Sequence, residues 1–165
     1  MLMASLTLFS LALGGCTLSI GQAQTITPGD GITVPIHVTQ QDGATRIEAN
    51  ITIDNKGPYI FVIDTGAETS AIDASLARDL RLPRAGPPHQ VGGVGGSVQA
   101  IPVTIDSWSL STLKLPSTTI DSADISGSLS DNEEGLLGAD ILSQFGTITI
   151  DFTDNELTVY KQIAK

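Results

Sequence analysis

The feature that most constrains this chain is an apolar run, YIFVIDTGA at positions 59–67, that ends in a carboxylate, a hydroxyl and a glycine. β-Branched and aromatic residues in such a run are typical of a buried strand. A strand this apolar normally ends in a polar surface turn, but here the run leads directly into Asp64. The surroundings of this carboxylate are therefore expected to differ from those of an ordinary surface aspartate.

The tripeptide Asp64, Thr65, Gly66 also has a simpler interpretation. All three residues are common in turns, so by themselves they equally fit a plain turn after a strand. Two further segments, a glycine-rich stretch and a Leu-Leu-Gly stretch, decide between these interpretations.

The composition favours one all-β domain. Apolar residues make up 41% of the 165 residues but aromatic residues only 4%, so the core is expected to be aliphatic. Val, Ile and Thr recur throughout, and the 17 glycines indicate many turns. Eight basic residues against 18 acidic ones give a formal net charge of -10, which argues against nucleic acid as a partner.

Cysteine and histidine are too few for a disulfide framework or a structural zinc site. The single cysteine, Cys16, excludes an intrachain disulfide. The histidines His37 and His89 belong to no Cys/His cluster, so no metal site and no cofactor are expected. His37 is expected on the solvated face of a strand, and His89 receives no role.

The N-terminus predicts export. Residues 1–15 are apolar, too short to span a bilayer comfortably and suited to a signal peptide. The sequence LGGC at positions 13–16 resembles a bacterial lipobox, which implies cleavage before Cys16, a lipid anchor on that cysteine and a periplasmic location, with the outer membrane favoured by Thr17. No basic residue precedes the apolar run, which departs from the usual pattern of a signal peptide. The alternative is an ordinary signal peptide that is cleaved near Ala23, so that Cys16 is removed with it. Residues 16–31 then form a flexible tether, and residues 32–165 the domain.

The first part of the domain shows strand and hairpin patterns. Residues 32–38 and 47–53 alternate between apolar and polar side chains, as half-buried strands do. Pro35 cannot donate a ladder hydrogen bond, which places the first strand at a sheet edge. Residues 55–58 are expected to turn into the Asp64 strand, and Asp73 to cap a short helix that runs through Leu80.

The second informative segment is QVGGVGGSV at positions 90–98. Apolar residues flank a glycine-rich tip, which indicates a mobile β-hairpin. A phosphate-binding loop would be followed by Lys-Ser/Thr and a helix, and neither follows here. Beyond it, residues 101–105, 108–110 and 113–115 are expected as strands, and the acidic residues 121–134 as a solvated loop.

The third informative segment is GLLGADIL at positions 135–142. Two large aliphatic residues precede a glycine, and a short helical pattern continues through Phe145. Residues 147–152 and 157–161 form a final predicted hairpin. The chain contains one Asp-Thr-Gly, and no internal repeat is visible.

In this order, the three segments resemble the retropepsin-like aspartic proteases over about residues 47–152. Each of the three motifs alone is weak evidence for this family, but their occurrence together in this order is specific to it. The resemblance implies an all-β fold, a retropepsin-like closed β-barrel with a flap hairpin and one or two short helices. It also implies an aspartic endopeptidase that acts on a peptide or protein substrate.

The resemblance also implies roles for individual residues. The catalytic residues would be Asp64, Thr65 and Gly66. Substrate would be contacted by the rest of the catalytic loop and by the flap, namely Ala67, Glu68, Gly92, Gly93, Val94 and Gly95. Leu137 and Gly138 would pack behind the catalytic loop as structural support.

Metal-free peptide hydrolysis explains why a second chain is needed. The reaction requires both a base for the water and a proton donor, and two adjacent carboxylates that share one proton supply both. Because the chain has one Asp-Thr-Gly, a working site requires a homodimer in which each chain contributes Asp64.

The chain departs from the retroviral pattern in ways that bear on the dimer. Ala139 stands where those enzymes carry an arginine, so Glu68 lacks that partner, and Glu68 itself replaces a serine common in bacterial relatives. The retroviral chain ends near the equivalent of Phe152 with a strand that builds the dimer sheet. This chain continues through a further hairpin, so its dimer interface must be built differently. The alternative is a monomeric, non-catalytic lipoprotein of the same fold that binds peptides.

Overall fold

The structure is a computed structural model that describes residues 31–41, 43–93, 96–130 and 132–160. The predicted signal peptide, the tether up to residue 30 and Cys16 lie outside these residues. In the N-terminal half of the described chain the elements are β1 (Gly31–Pro35), β2 (His37–Gln41), β3 (Ala44–Ile53), β4 (Lys56–Ile63), β5 (Ala71–Asp73) and α1 (Ala74–Asp79).

The C-terminal half begins with a long hairpin. Its elements are β6 (His89–Gly93), β7 (Gly96–Ile105), β8 (Trp108–Leu110), β9 (Leu113–Leu115), β10 (Thr118–Ala123), β11 (Gly135–Leu137), α2 (Ala139–Leu142), a 3₁₀ turn (Ser143–Phe145), β12 (Thr147–Asp151) and β13 (Glu156–Tyr160). No helix of the described residues is long and apolar enough to cross a membrane.

The strands form two sheets. The larger sheet has the order β6-β7-β10-β5-β11-β4-β3-β8-β9, with β2 paired to β3, and the smaller has the order β1-β13-β12. The predicted all-β class is therefore confirmed. The predicted closure is not found, because the pairing of the described strands runs as an open path from β6 to β9.

The first predicted strand is divided at Pro35. β1 pairs antiparallel with β13, whereas β2 pairs antiparallel with β3, and the chain changes sheets between them at Ile36. Because proline lacks the N–H that a central strand needs, β1 lies at the edge of the smaller sheet, as predicted.

The hairpin that leads to Asp64 turns earlier than predicted. Asp54 and Asn55 have φ values of 49° and 61°, and β4 already begins at Lys56. Two positive φ angles in succession are characteristic of the tight turn that matches the twist of antiparallel strands, and Asp and Asn tolerate them well.

The core is aliphatic, as the composition predicts. Its fully buried side chains include Ile51, Ile53, Phe61 and Ile72. Trp108 is 4% exposed, and its indole Nε1 donates to the carbonyl oxygen of Pro116 over 2.8 Å. Burial of this apolar surface is the main force that holds the larger sheet together.

Asp73 caps helix α1, as predicted. Its Oδ1 accepts from the backbone N of Ser75 at 2.8 Å, and Leu76 and Ala77 are buried on the inner face. Burial alone would raise the pKa of Asp73. The hydrogen bonds that its carboxylate accepts from the Ser75 side chain and from nearby backbone N–H groups outweigh that effect, so this pKa lies below its ordinary value.

The prediction that the acidic residues 121–134 form a solvated loop is wrong for part of this segment. Its first residues belong to β10, where Asp121 pairs with Ala71 of β5 and Pro102 of β7. Farther along, the side chain of Glu133 is fully buried and bonds Arg46 at 3.0 Å. The next residue, Glu134, accepts from the backbone N of Ile60 at 3.1 Å. Glu133 and Glu134 thus hold the end of this segment against β3 and β4 instead of facing solvent.

Candidate active site

Two parallel strands place Asp64 at their common end. β11 pairs parallel with β4, so that Leu137 lies opposite Ile63. The backbone N of Asp64 then donates to the carbonyl oxygen of Leu137 over 2.9 Å. Ile63 and Leu137 are buried, whereas Asp64 is only partly so. The apolar run thus delivers the carboxylate from the core to the start of an exposed loop.

The loop holds the carboxylate in one orientation. Oδ1 of Asp64 accepts from the backbone N of Gly66 at 2.9 Å and of Ala67 at 3.2 Å. The carbonyl oxygen of Asp64 also accepts from Ala67 N at 3.2 Å. Among the described residues Oδ2 has no hydrogen-bond partner, so one carboxylate oxygen is fixed and the other is available to water or substrate.

The absence of a side chain at Gly66 favours this close approach. A Cβ at position 66 would lie 3.2 Å from Asp64 Oδ1, tighter than most contacts of a real Cβ. Thr65, Gly66 and Glu68 are exposed, and Ala67 is partly buried. In the part of the chain that the structure describes, Glu68 forms no ion pair.

Gly138 packs against the loop that follows Asp64. A Cβ on Gly138 would lie 2.8 Å from the carbonyl carbon of Thr69 and 2.9 Å from the carbonyl oxygen of Ala67. The adjacent backbone N of Ala139 donates to that Ala67 oxygen at 2.8 Å. Leu137 is fully buried, so the two residues assigned to structural support both lie at the base of the loop.

A hydrogen-bonded pair that sequence reasoning missed, Ser70 and Asp140, fixes the far end of the loop. The hydroxyl of Ser70, which is fully buried, donates to Oδ1 of Asp140 over 2.7 Å, and Ser70 N donates to the same oxygen over 3.0 Å. Gly138 N donates back to Ser70 Oγ at 2.9 Å. In the sequence, Asp140 at the start of a helical pattern indicates a possible hydrogen-bond acceptor, but no nearby residue identifies Ser70 as its partner.

The glycine-rich segment forms the predicted hairpin. β6 and β7 pair with Gly92 opposite Ser97 and Gly93 opposite Gly96. A Cβ at Gly92 would meet nothing within 4 Å, so this part of the hairpin is open. The two tip residues assigned to substrate contact, Val94 and Gly95, lie outside the described residues.

His89, the first residue of β6, reaches past the neighbouring strand β7 to β10 of the same sheet. Its Nε2 lies 3.3 Å from Oδ1 of Asp121 in β10, and their side chains are 44% and 11% exposed. Asp121 N donates to the carbonyl oxygen of Ser70 at 3.1 Å. Sequence analysis assigns His89 no role, and the structure places it in contact with Asp121 of β10, the residue whose backbone N bonds Ser70.

The site offers one oriented carboxylate and no metal-binding cluster. Among the described residues, no three His, Cys, Asp or Glu side chains are placed to hold a metal ion. Each chain supplies a single Asp-Thr-Gly. One such carboxylate can act as an acid or as a base in a given step, but not as both.

Comparison with known proteins agrees with the residues and the fold. A sequence model of a family described as aspartyl protease matches residues 49–141, more than half of the chain. This stretch includes Asp64, the flap hairpin, Gly138 and Asp140. No curated protein matches the chain.

Two solved structures are similar to this one. The first is the crystal structure of a retropepsin-like aspartic protease from Rickettsia conorii, with 21% identity and a TM-score of 0.51 over 79% of this chain and 99% of that chain. The second is the EIAV protease in complex with the inhibitor HBY-793, with 25% identity and a TM-score of 0.48 over 68% of this chain and 100% of that one. The first of these likenesses shows a retropepsin-like fold, and the family match carries the assignment: the chain belongs to the aspartyl protease family.

Proposed function

We propose that this chain is an aspartic endopeptidase that works as a homodimer, with Asp64 of each copy at a shared site. The observation that carries the proposal is the fixed carboxylate of Asp64. It lies at the end of a buried strand, with Oδ1 held by two backbone N–H groups and Oδ2 without a partner among the described residues.

Two copies of this carboxylate supply the chemistry that one lacks. Like charges held close together do not ionise together easily, so the pair keeps one proton and titrates as a unit. The ionised carboxylate takes a proton from water as the water oxygen bonds to the peptide carbonyl carbon. At the same time the protonated carboxyl group gives its proton to the carbonyl oxygen. The carboxyl group that took the water proton then gives it to the amide nitrogen as the C–N bond breaks, and the other carboxylate takes a proton from a hydroxyl of the tetrahedral intermediate. The products are a carboxylic acid and an amine, and the pair again holds one proton.

The supporting residues act through position. Gly66 lets the loop close on Asp64 Oδ1, and Gly138 lets β11 and α2 lie against the loop backbone. In the proposed mechanism, Thr65 bonds across the two-fold axis, while Ala67, Glu68 and the flap residues contact substrate. Closure of the flap would exclude water from the reacting groups.

The proposal includes export and a lipid anchor at Cys16. It is supported by the apolar residues 1–15 and the LGGC that follows them. Fatty-acid labelling of cells that express the chain or its Cys16→Ser variant tests this part. Label that enters the wild-type chain alone supports the anchor. Equal labelling of both chains, or of neither, would contradict it.

Cleavage of a diverse peptide mixture tests the enzymatic part. The full chain, its Asp64→Asn variant and its Asp79→Asn variant are compared across acidic to neutral pH, with products identified by mass spectrometry. Asp79 is an exposed aspartate of α1 and serves as the matched control. We expect cleavage by the wild type and Asp79→Asn only. Full activity of Asp64→Asn, or no cleavage at concentrations that force association, would overturn the assignment and favour a peptide-binding module.

A further inference from the structure

Asp121 is a carboxylate in the middle of an interior strand. Its strand, β10, lies between β7 and β5 of the larger sheet, and the residue is only 8% exposed. Aspartate is disfavoured in strands, and it is rarely buried unless a partner neutralises its charge. The buried Glu133 has such a partner in Arg46. Among the described residues, no lysine or arginine forms an ion pair with Asp121.

The side chain of Asp121 lies on the same face of the sheet as that of Asp64. Paired residues of neighbouring strands share a face, and side chains alternate between faces along a strand. Val62 pairs with Leu136, and Leu136 pairs with Ala71. Ala71 in turn pairs with Asp121. Asp64 shares this face because it follows Val62 by two positions and its backbone N still bonds β11. These five residues define the Asp64 face.

The opposite face of the same four strands is the core. Its side chains are at most 6% exposed, namely Ile63, Ile72, Ile120 and Leu137. On the Asp64 face, by contrast, Val62 and Leu136 are only partly buried. Asp121 therefore lies at the end of a row that leads away from Asp64 across three strand spacings, which is about 14 Å.

The flap hairpin begins on this same face. His89 pairs with Ala100, and Ala100 pairs with Ala123, which lies two positions beyond Asp121 in β10. His89 thus points to the Asp64 face, and the small Ala100 lets it reach across β7 to the carboxylate. Asp121 is placed where the flap meets the row of side chains that leads to Asp64.

Asp121 retains the capacity for a further partner. His89 Nε2 lies 3.3 Å from Oδ1 of Asp121, and Oδ2 has no partner among the described residues. The two side chains are 44% and 11% exposed, so the carboxylate is mostly but not completely covered. Because Ala71 carries only a methyl group, no large side chain of β5 separates Asp121 from the rest of the Asp64 face.

We propose that Asp121 is a specificity-determining residue that selects a basic side chain, lysine or arginine, in the peptide substrate. This inference rests on the proposed function, in which substrate lies between the Asp64 face and the flap. A lysine carries its charge at the end of a slender stem, so it reaches a carboxylate that is mostly covered. It supplies the permanent positive charge that no described residue supplies, and it donates a charge-assisted hydrogen bond to Oδ2. An extended peptide advances about 3.3 Å per residue, so the selected side chain lies within about four residues of the cleaved bond.

Peptide libraries with one fixed residue test this selection. The fixed residue is lysine, norleucine (the same four-carbon stem without charge) or glutamate, and all other positions are mixed. Mass spectrometry of the products gives the distance from the fixed residue to the cleaved bond. At one such distance we expect the wild-type chain to cleave the lysine library about tenfold or more faster than the norleucine library, and the glutamate library slowest. The preference should weaken as salt is added, because a partly exposed ion pair is screened.

Variants assign the preference to Asp121. Asp121→Asn keeps the shape of the side chain and removes its charge, so it is expected to cleave the lysine and norleucine libraries at equal rates. Asp79→Asn makes the same change of net charge at an exposed site of α1 and should keep the preference. A merely structural role for Asp121 would instead lower both rates by the same factor. Circular dichroism checks that each variant is folded.

A change at His89 separates substrate selection from a role confined to the His89 contact. If Asp121 served only to hold His89, then His89→Ala and Asp121→Asn would have the same effect on both libraries. We expect His89→Ala to keep the preference for lysine and Asp121→Asn to lose it. Equal cleavage of the lysine and norleucine libraries by the wild type, or a lysine preference that survives Asp121→Asn, would overturn the proposal.

Binding without cleavage separates this inference from the proposed function. The same libraries are passed over the immobilised full chain with Asp64→Asn, alone and combined with Asp121→Asn. If the wild type cleaves nothing but lysine peptides are retained only when Asp121 is present, the proposed function fails and the selection stands. If the wild type cleaves without any preference for lysine, the function stands and the selection fails. Neither cleavage nor retention that depends on Asp121 would overturn both.

Discussion

Ser70, which is buried, and Asp140, which is partly buried, lie 70 positions apart in the chain and form a hydrogen-bonded pair in which the Ser70 hydroxyl donates to Asp140 Oδ1 over 2.7 Å. The same hydroxyl accepts from Gly138 N, so one side chain joins the end of the loop that follows Asp64 to the residue between β11 and α2. The pair thus connects the loop that follows Asp64 to the residues that follow β11, the strand that pairs with β4 beside Asp64.

Removal of the Ser70 hydroxyl is expected to destabilise the fold. Ser70→Ala leaves the buried Gly138 N without its acceptor and removes one donor from the partly buried Asp140, which costs about 1–3 kcal/mol of unfolding free energy. Ser126→Ala is the matched control, because the Ser126 hydroxyl donates to Asp124 at the same 2.7 Å in an exposed loop. Urea unfolding of both variants measures the difference, and equal midpoints would contradict the prediction.

A methyl group on Gly138 is expected to disturb the loop. In Gly138→Ala the Cβ would lie 2.8 to 2.9 Å from backbone atoms of Ala67 and Thr69, which cannot move independently of the loop. Overpacking of this kind costs about 1–3 kcal/mol. Gly127→Ala is the control, since its Cβ would meet nothing within 4 Å. Thermal unfolding compares the two, and an undiminished melting temperature for Gly138→Ala would refute the tight packing.

The helix cap at Asp73 is expected to make stability depend on pH. The pKa of Asp73 is below its ordinary value in the folded protein, so its contribution is present above the unfolded-state pKa of about 3.9 and is lost as pH falls through the folded value. Asp73→Asn keeps a capping oxygen that does not titrate, whereas Asp73→Ala loses the cap at a cost of about 1 kcal/mol.

Unfolding of these three chains at neutral and acidic pH is the measurement. We expect the difference in unfolding free energy between the wild type and Asp73→Asn to shrink as the solution is acidified. A difference that stays constant over that range would show that the ionised form of Asp73 is not favoured by folding.

The parts of the fold that could be predicted are those with a local cause. The apolar run before Asp64 predicts a buried strand because β-branched side chains pack well there, and Asp73 predicts a helix start because its side chain can bond nearby backbone N–H groups. The Gly-rich hairpin likewise follows from its own residues. Each of these signals lies within a few residues of the structure it predicts.

The parts that could not be predicted depend on distant partners. β10 begins an acidic segment, and Asp121 is part of a strand because β5 and β7 flank it. Glu133 is buried because Arg46, 87 positions away, neutralises it. The Ser70–Asp140 pair has the same origin. A polar residue with a remote partner has no periodic pattern, so tertiary context alone decides its place.

A methyl group on Gly66 is expected to separate activity from stability. In Gly66→Ala the added Cβ would lie 3.2 Å from Asp64 Oδ1, so the carboxylate must shift or lose a hydrogen bond. Position 66 is exposed, and the unfolding free energy should change little. Because small displacements of a reacting group are costly, we expect peptide cleavage to fall by about tenfold or more. Cleavage rates and urea unfolding of Gly66→Ala and the control Gly127→Ala test this. Undiminished cleavage by Gly66→Ala would show that the orientation of Asp64 Oδ1 does not limit the reaction.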